Sequence, residues 1–179
     1  LWKKACEELT EYKEFAKIKQ GKNLLYKSVI KKLINSVLNN DRTETPFKII
    51  ELETAAERKV SLDINGEVTE VTLFGRLDRV EIKDSITRII DYKTGTVDSA
   101  KQNAKVTDFD HINRIFADIK LKENFQQLFY ASLYLNSKSN SKLIVGIYPL
   151  KKISGGVFWF EKEPISLDKK KLFEDYLDI

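Results

Sequence analysis

Residues 89–95 read IIDYKTG. Two isoleucines fit for burial run into an acid, a tyrosine and a lysine, and a Thr-Gly turn follows. Side chains alternate along a strand, so Asp91 and Lys93 share one face. Upstream, residues 75–80 read GRLDRV and place another acid, Asp78, near the end of a second strand-like run. The KDS of residues 83–85 is the turn between them. Paired in the simplest hairpin register, the strands set Asp78 and Asp91 on one rim of a sheet.

Two carboxylates held together repel unless a cation sits between them or one takes up a proton. Oxygen ligands with partial hydration suit Mg²⁺ or Mn²⁺. A lysine beside such a site can bind a scissile phosphate or orient a water. The residue types are those of metal-assisted phosphodiester chemistry. Taken alone, Asp-x-Lys on a strand face also reads as a solvated ion pair worth under about 1 kcal/mol. Asp78 with Arg76 and Arg79 also reads as a surface salt-bridge cluster. The combination of strand, hairpin and a second strand ending in D-x-K-T-G separates these readings.

Working outward, residues 1–18 carry a mixed-polarity helix pattern that Gly21 interrupts. From Asn23, Leu25, Val29, Leu33 and Val37 recur every four residues, predicting an amphipathic helix with Lys27, Lys31 and Lys32 on its outer face. The polar run NNDRTETP, with Pro46, is its stop signal. Residues 47–53 start a strand whose register continues through Val60 and Leu62. Asn65-Gly66 is a hairpin turn, 68–81 a long strand and 86–93 the third strand of an antiparallel meander. Residues 96–122 predict a long loop with a short helical stretch. A helix follows from Asn124, then strands at 142–148 and 156–160 and a closing helix at 168–177. The order predicts one α/β domain over 1–179, helical through 45 and with its core in 46–179.

The 179 residues are 42% hydrophobic and 32% charged, the balance of an ordinary globular chain. No run approaches the roughly 18 apolar residues of a membrane span. The single cysteine, Cys6, allows no internal disulfide and points to a reducing, cytoplasmic setting. A net charge of +4 and a pI near 8.9 are compatible with a polyanionic partner without requiring one. The chain starts at Leu1 and contains no methionine, which reads as a piece of a longer protein.

Residues 75–80 and 88–95, GRLDRV and RIIDYKTG, together resemble the PD-(D/E)XK nuclease superfamily, and within it the RecB-like and AddB-like exonuclease domains. Gln126 and Tyr130 match the Q-x-x-x-Y element those domains carry after the lysine, and a spacing of four puts both on one helix face. The resemblance covers about residues 47–148. It implies a restriction-endonuclease-like α/β core: a mixed central sheet with an antiparallel meander, flanked by helices. It further implies Asp78, Asp91 and the backbone carbonyl of Tyr92 as ligands of Mg²⁺ or Mn²⁺, and Lys93 as the catalytic lysine. Gln126 and Tyr130 would position substrate. Arg76 and Arg79 are either phosphate contacts or structural partners of the neighbouring acids.

The implied activity is metal-dependent DNA exonuclease action within a larger helicase-nuclease or repair protein. An inactive nuclease-fold module for DNA binding or interdomain scaffolding is the alternative. One feature departs from the pattern: RecB-like domains carry a Gly-x-x-x-His metal ligand, and none precedes Asp78. His111 lies after the lysine, in the loop region. Glu53, ending the first strand, could reach the site, though an exposed strand-end glutamate is the simpler account. Without the histidine, the chain alone is expected to bind metal weakly and show little nuclease activity.

Overall fold

The computed structural model describes residues 22–97, 109–137, 142–151, 155–160 and 164–165. The helices expected at 1–18 and 168–177 lie outside the described residues. The chain divides into two compact units, Leu1–Thr45 and Pro46–Ile179.

In the first unit, α1 spans Lys22–Glu44. It runs on through NNDRTE, which the composition marked as a stop. Thr43 and Thr45 hydroxyls donate to the carbonyls of Asn40 and Arg42, satisfying acceptors that a helix end leaves open. Arg42 adds positive charge in the last turn. Pro46 then disfavours helical geometry at the residue before it. No described helix is long and apolar enough to cross a membrane.

The second unit is built on a five-stranded sheet in the order β1-β2-β3-β4-β5. Its strands are β1 (Lys48–Ile64), β2 (Glu67–Lys83), β3 (Ile86–Lys93), β4 (Leu143–Pro149) and β5 (Phe158–Trp159). β1 and β2 pair antiparallel from Lys48↔Ile82 to Ile64↔Glu67, with a register shift between Ile49 and Glu51. Asn65 (φ 58°) and Gly66 (φ 85°) close that hairpin in the left-handed region a two-residue turn requires. Asp84 (φ 50°) and Ser85 (φ 62°) close the next one, and β2 pairs β3 antiparallel from Lys83↔Ile86 to Arg79↔Ile90. β3 then pairs β4 in parallel, Thr87↔Leu143 through Lys93↔Pro149. β5 pairs β4 antiparallel at Gly146 and Ile147.

Helices α2 (Phe109–Ala117) and α3 (Lys122–Ser137), joined by a 3₁₀ turn at Ile119–Leu121, lie on the path from β3 to β4. A parallel strand pair needs such a crossover. The short helical stretch expected within 96–122 falls at Phe109–Ala117. Ile112 and Ile115, three apart and both buried, give α2 its core face. The core joins these residues and Leu128, Ala131, Tyr134 and Leu135 of α3 to Val80, Ile89, Leu143 and Val145 of the sheet. Gly75 permits the approach of α3: a Cβ there would meet Leu133 Cδ1 at 2.7 Å and Tyr130 Cε1 at 3.3 Å. The result is a mixed α/β fold of restriction-endonuclease-like type, with β3 inside the sheet and its C-terminal end beneath α3.

Candidate active site

The β2–β3 ladder stops at Arg79↔Ile90, two residues short of Tyr92. Beyond it, Asp78 takes the place of a backbone acceptor: the Tyr92 N–H donates to Asp78 Oδ2 at 2.8 Å. That bond ties the acid of β2 to the peptide between Asp91 and Lys93. Alternation puts Asp91 and Lys93 on the face that Ile89 buries in the core. Asp91 is accordingly only 4% exposed. Lys93 Nζ lies 2.8 Å from Asp91 Oδ2, and the lysine side chain keeps 29% of its surface accessible. The contact is a largely buried ion pair.

From above, Gln126 Nε2 donates to Asp91 Oδ1 at 3.3 Å and to Tyr130 Oη at 2.8 Å. One helical turn separates the two α3 residues, so a single amide can join both groups. Burial pushes the Asp91 carboxyl above its usual range; Lys93 opposes this, while the charges of Asp78 and Glu123 add to it. Burial also raises the Tyr130 phenol, partly offset by Gln126. Asp78, Asp91, Lys93, Gln126 and Tyr130 thus form one connected group. A cavity of about 550 Å³ opens beside it, between Lys93, Thr96, Lys122, Glu123 and Gln126.

Four other residues stand elsewhere. Arg79 is 2% exposed and bound to Glu81, so it is a structural ion-pair partner and presents no surface to a phosphate. Arg76 is exposed, with Nε 3.2 Å from both the carbonyl and a carboxylate oxygen of Glu53. Glu53 faces Asp78 by register, but its φ of 50° breaks the ladder there and its carboxylate turns to Arg76. His111 lies on α2, half-buried.

Glu123 escaped the sequence reading. It stands in the first turn of α3 and on the cavity wall, three residues before Gln126. The i, i+3 relation to Gln126 was the available signal.

The family model of the PD-(D/E)XK nuclease superfamily matches residues 1–173. The chain belongs to that superfamily. No curated protein and no solved structure matches it significantly.

Members of the superfamily are nucleases that typically use divalent metals, so the site has to suit a cation. Asp91 answers for it: a buried carboxylate with raised proton affinity, two further acids nearby, and Lys93 and Gln126 fixing its orientation. Hard oxygen donors of this kind fit Mg²⁺ or Mn²⁺. Among the described residues, no three His, Cys, Asp or Glu side chains gather tightly enough to hold an ion unaided. The nuclease-superfamily chain would therefore combine Asp78 and Asp91 with the Tyr92 carbonyl and water, as Mg²⁺ readily accepts.

Proposed function

We propose that this chain is a metal-dependent deoxyribonuclease domain that hydrolyses DNA phosphodiester bonds, acting as an exonuclease. Its setting is a larger helicase-nuclease or recombination and repair protein in the cytoplasm. The carrying observation is the buried Asp91 beside Asp78, held between Lys93 and Gln126, which both line an open cavity. The net charge of +4 is compatible with a polyanionic substrate.

When bound at Asp78, Asp91 and the Tyr92 carbonyl, Mg²⁺ or Mn²⁺ supplies Lewis-acid polarisation of the scissile phosphate. Lys93 Nζ, anchored by Asp91, presents its remaining donors to the cavity, where it can hold a phosphate oxygen or an attacking water. Gln126 fixes the Asp91 carboxylate through Oδ1 and leaves the other oxygen toward Lys93. Tyr130, through the same amide, orients Gln126. The Arg76–Glu53 pair offers an exposed guanidinium on β2 for a flanking phosphate.

The test is thermal unfolding of the chain titrated with Mn²⁺. Stabilisation is expected, since a cation that binds only the folded state raises the midpoint; Asp91→Ala should remove it. A midpoint indifferent to Mn²⁺ would end the metal reading. The alternative, an inactive module for DNA binding or scaffolding, draws on the absence of Gly-x-x-x-His before Asp78. DNA retention without cleavage at saturating Mn²⁺ would favour it.

A further inference from the structure

We propose that Arg79 and Tyr92 form a positioning device that reaches through the sheet and holds Asp78, Asp91 and Lys93 in place. The inference rests on the nuclease reading above and concerns the opposite face of β3. Tyr92 lies between Asp91 and Lys93, so its ring points away from the site. There, Arg79 Nη1 donates to Tyr92 Oη at 3.0 Å, and the Tyr148 ring lies against it, centroids 5.7 Å apart.

Arg79 is itself fixed. Its Nε donates to Glu81 Oε2 at 2.6 Å, Nη2 contacts the same oxygen, and the Phe47 ring covers its Cζ at 4.9 Å. Glu81 is fully buried, and its other oxygen is taken by Arg88 Nε at 2.6 Å, with Arg88 in turn over Trp159. A guanidinium is a planar fork, so the Glu81 contacts dictate where Nη1 points. That direction is occupied by the Tyr92 hydroxyl.

The same residue's N–H is the donor to Asp78 Oδ2. Tyr92 therefore joins a rigid charged network on one face to the acid pair on the other. A tyrosine serving the core alone would need only its ring; the hydroxyl bonded to a buried guanidinium is what phenylalanine would lack. Groups that orient metal-binding side chains in this way typically account for about 10- to 100-fold in metal affinity.

The experiment uses the whole chain with Tyr92→Phe, which keeps the ring, and Val60→Ala, which truncates a buried β1 side chain outside the network. Two quantities are read: Mn²⁺ affinity by calorimetry, and hydrogen exchange of the residue 92 amide by NMR without metal. Tyr92→Phe should speed that exchange several-fold, weaken Mn²⁺ binding about tenfold, and change the unfolding midpoint little. Val60→Ala should lower the midpoint and leave the other two readings near wild type. Unchanged exchange in Tyr92→Phe overturns the proposal, as does an equal response in Val60→Ala. If the wild type takes up no Mn²⁺ while exchange responds as stated, the device stands and the nuclease reading falls.

Discussion

Asp91 is stable in this fold only at a cost to its charged form, and that gives the site a signature before any substrate is added. Burial raises its pKa above the ordinary carboxylate value of 3.8, with Asp78 and Glu123 contributing in the same direction. The folded chain therefore holds this proton to higher pH than the unfolded chain does. Stability falls as pH rises from the unfolded value through the raised folded one, and the loss is complete above it. In EDTA at neutral pH, Asp91→Asn should unfold at a higher urea concentration than the wild type. Saturating Mn²⁺ should reverse that order. A variant less stable than wild type in EDTA would mean that the Lys93 pair outweighs burial. Tyr130→Phe removes a single hydroxyl bond to Gln126. It should cost about 1 kcal/mol in chemical denaturation while weakening any cleavage by more than that loss explains.

At the level of elements, close approach of glycines sets where α3 and β5 can sit. Gly75→Ala would drive a Cβ into Leu133 and press on Tyr130. A cost of about 1–3 kcal/mol is expected, with a displaced Tyr130 as its functional trace; denaturation midpoints and a tyrosine NMR shift would read both. At Gly146 the added atom would meet Val157 Cγ1 at 2.6 Å, Trp159 Cε3 at 2.7 Å and the Phe158 carbonyl at 3.0 Å. Gly146→Ala should therefore displace β5, seen as faster hydrogen exchange at Phe160, whose N–H donates to the Val145 carbonyl.

The strands and hairpins were legible because their signals are local: Asn65-Gly66 and Asp84-Ser85 adopt the left-handed conformations that such turns need. Asp78, Asp91 and Lys93 were legible for the same reason, since a hairpin and an alternation bring them together. Other features depend on distant partners. The parallel pairing of β3 with β4 is decided by the intervening helices, and nothing in IIDYKTG or LIVGIYP announces it. Arg79, Glu81 and Arg88 look like surface charges in sequence, yet their alternation across paired strands gathers them into a buried network. Glu123 was passed over because its relevance follows from α3 starting at Lys122 and placing it on the cavity wall.

For the whole molecule, the proposed cation-dependent phosphodiesterase site on one rim of the sheet in Pro46–Ile179 depends most on Lys93, which joins Asp91 to the cavity and is partly accessible. The most direct measurement is cleavage of end-labelled linear duplex DNA, with and without Mn²⁺, by wild-type chain and by Lys93→Ala of matched thermal stability. Release of labelled product, however slow, should require Mn²⁺ and fall by about 10²- to 10⁴-fold in Lys93→Ala, the range a positioned acid–base group contributes. Product released equally by the variant, or equally in EDTA, would mean that Lys93 and a cation do not form the cleaving site.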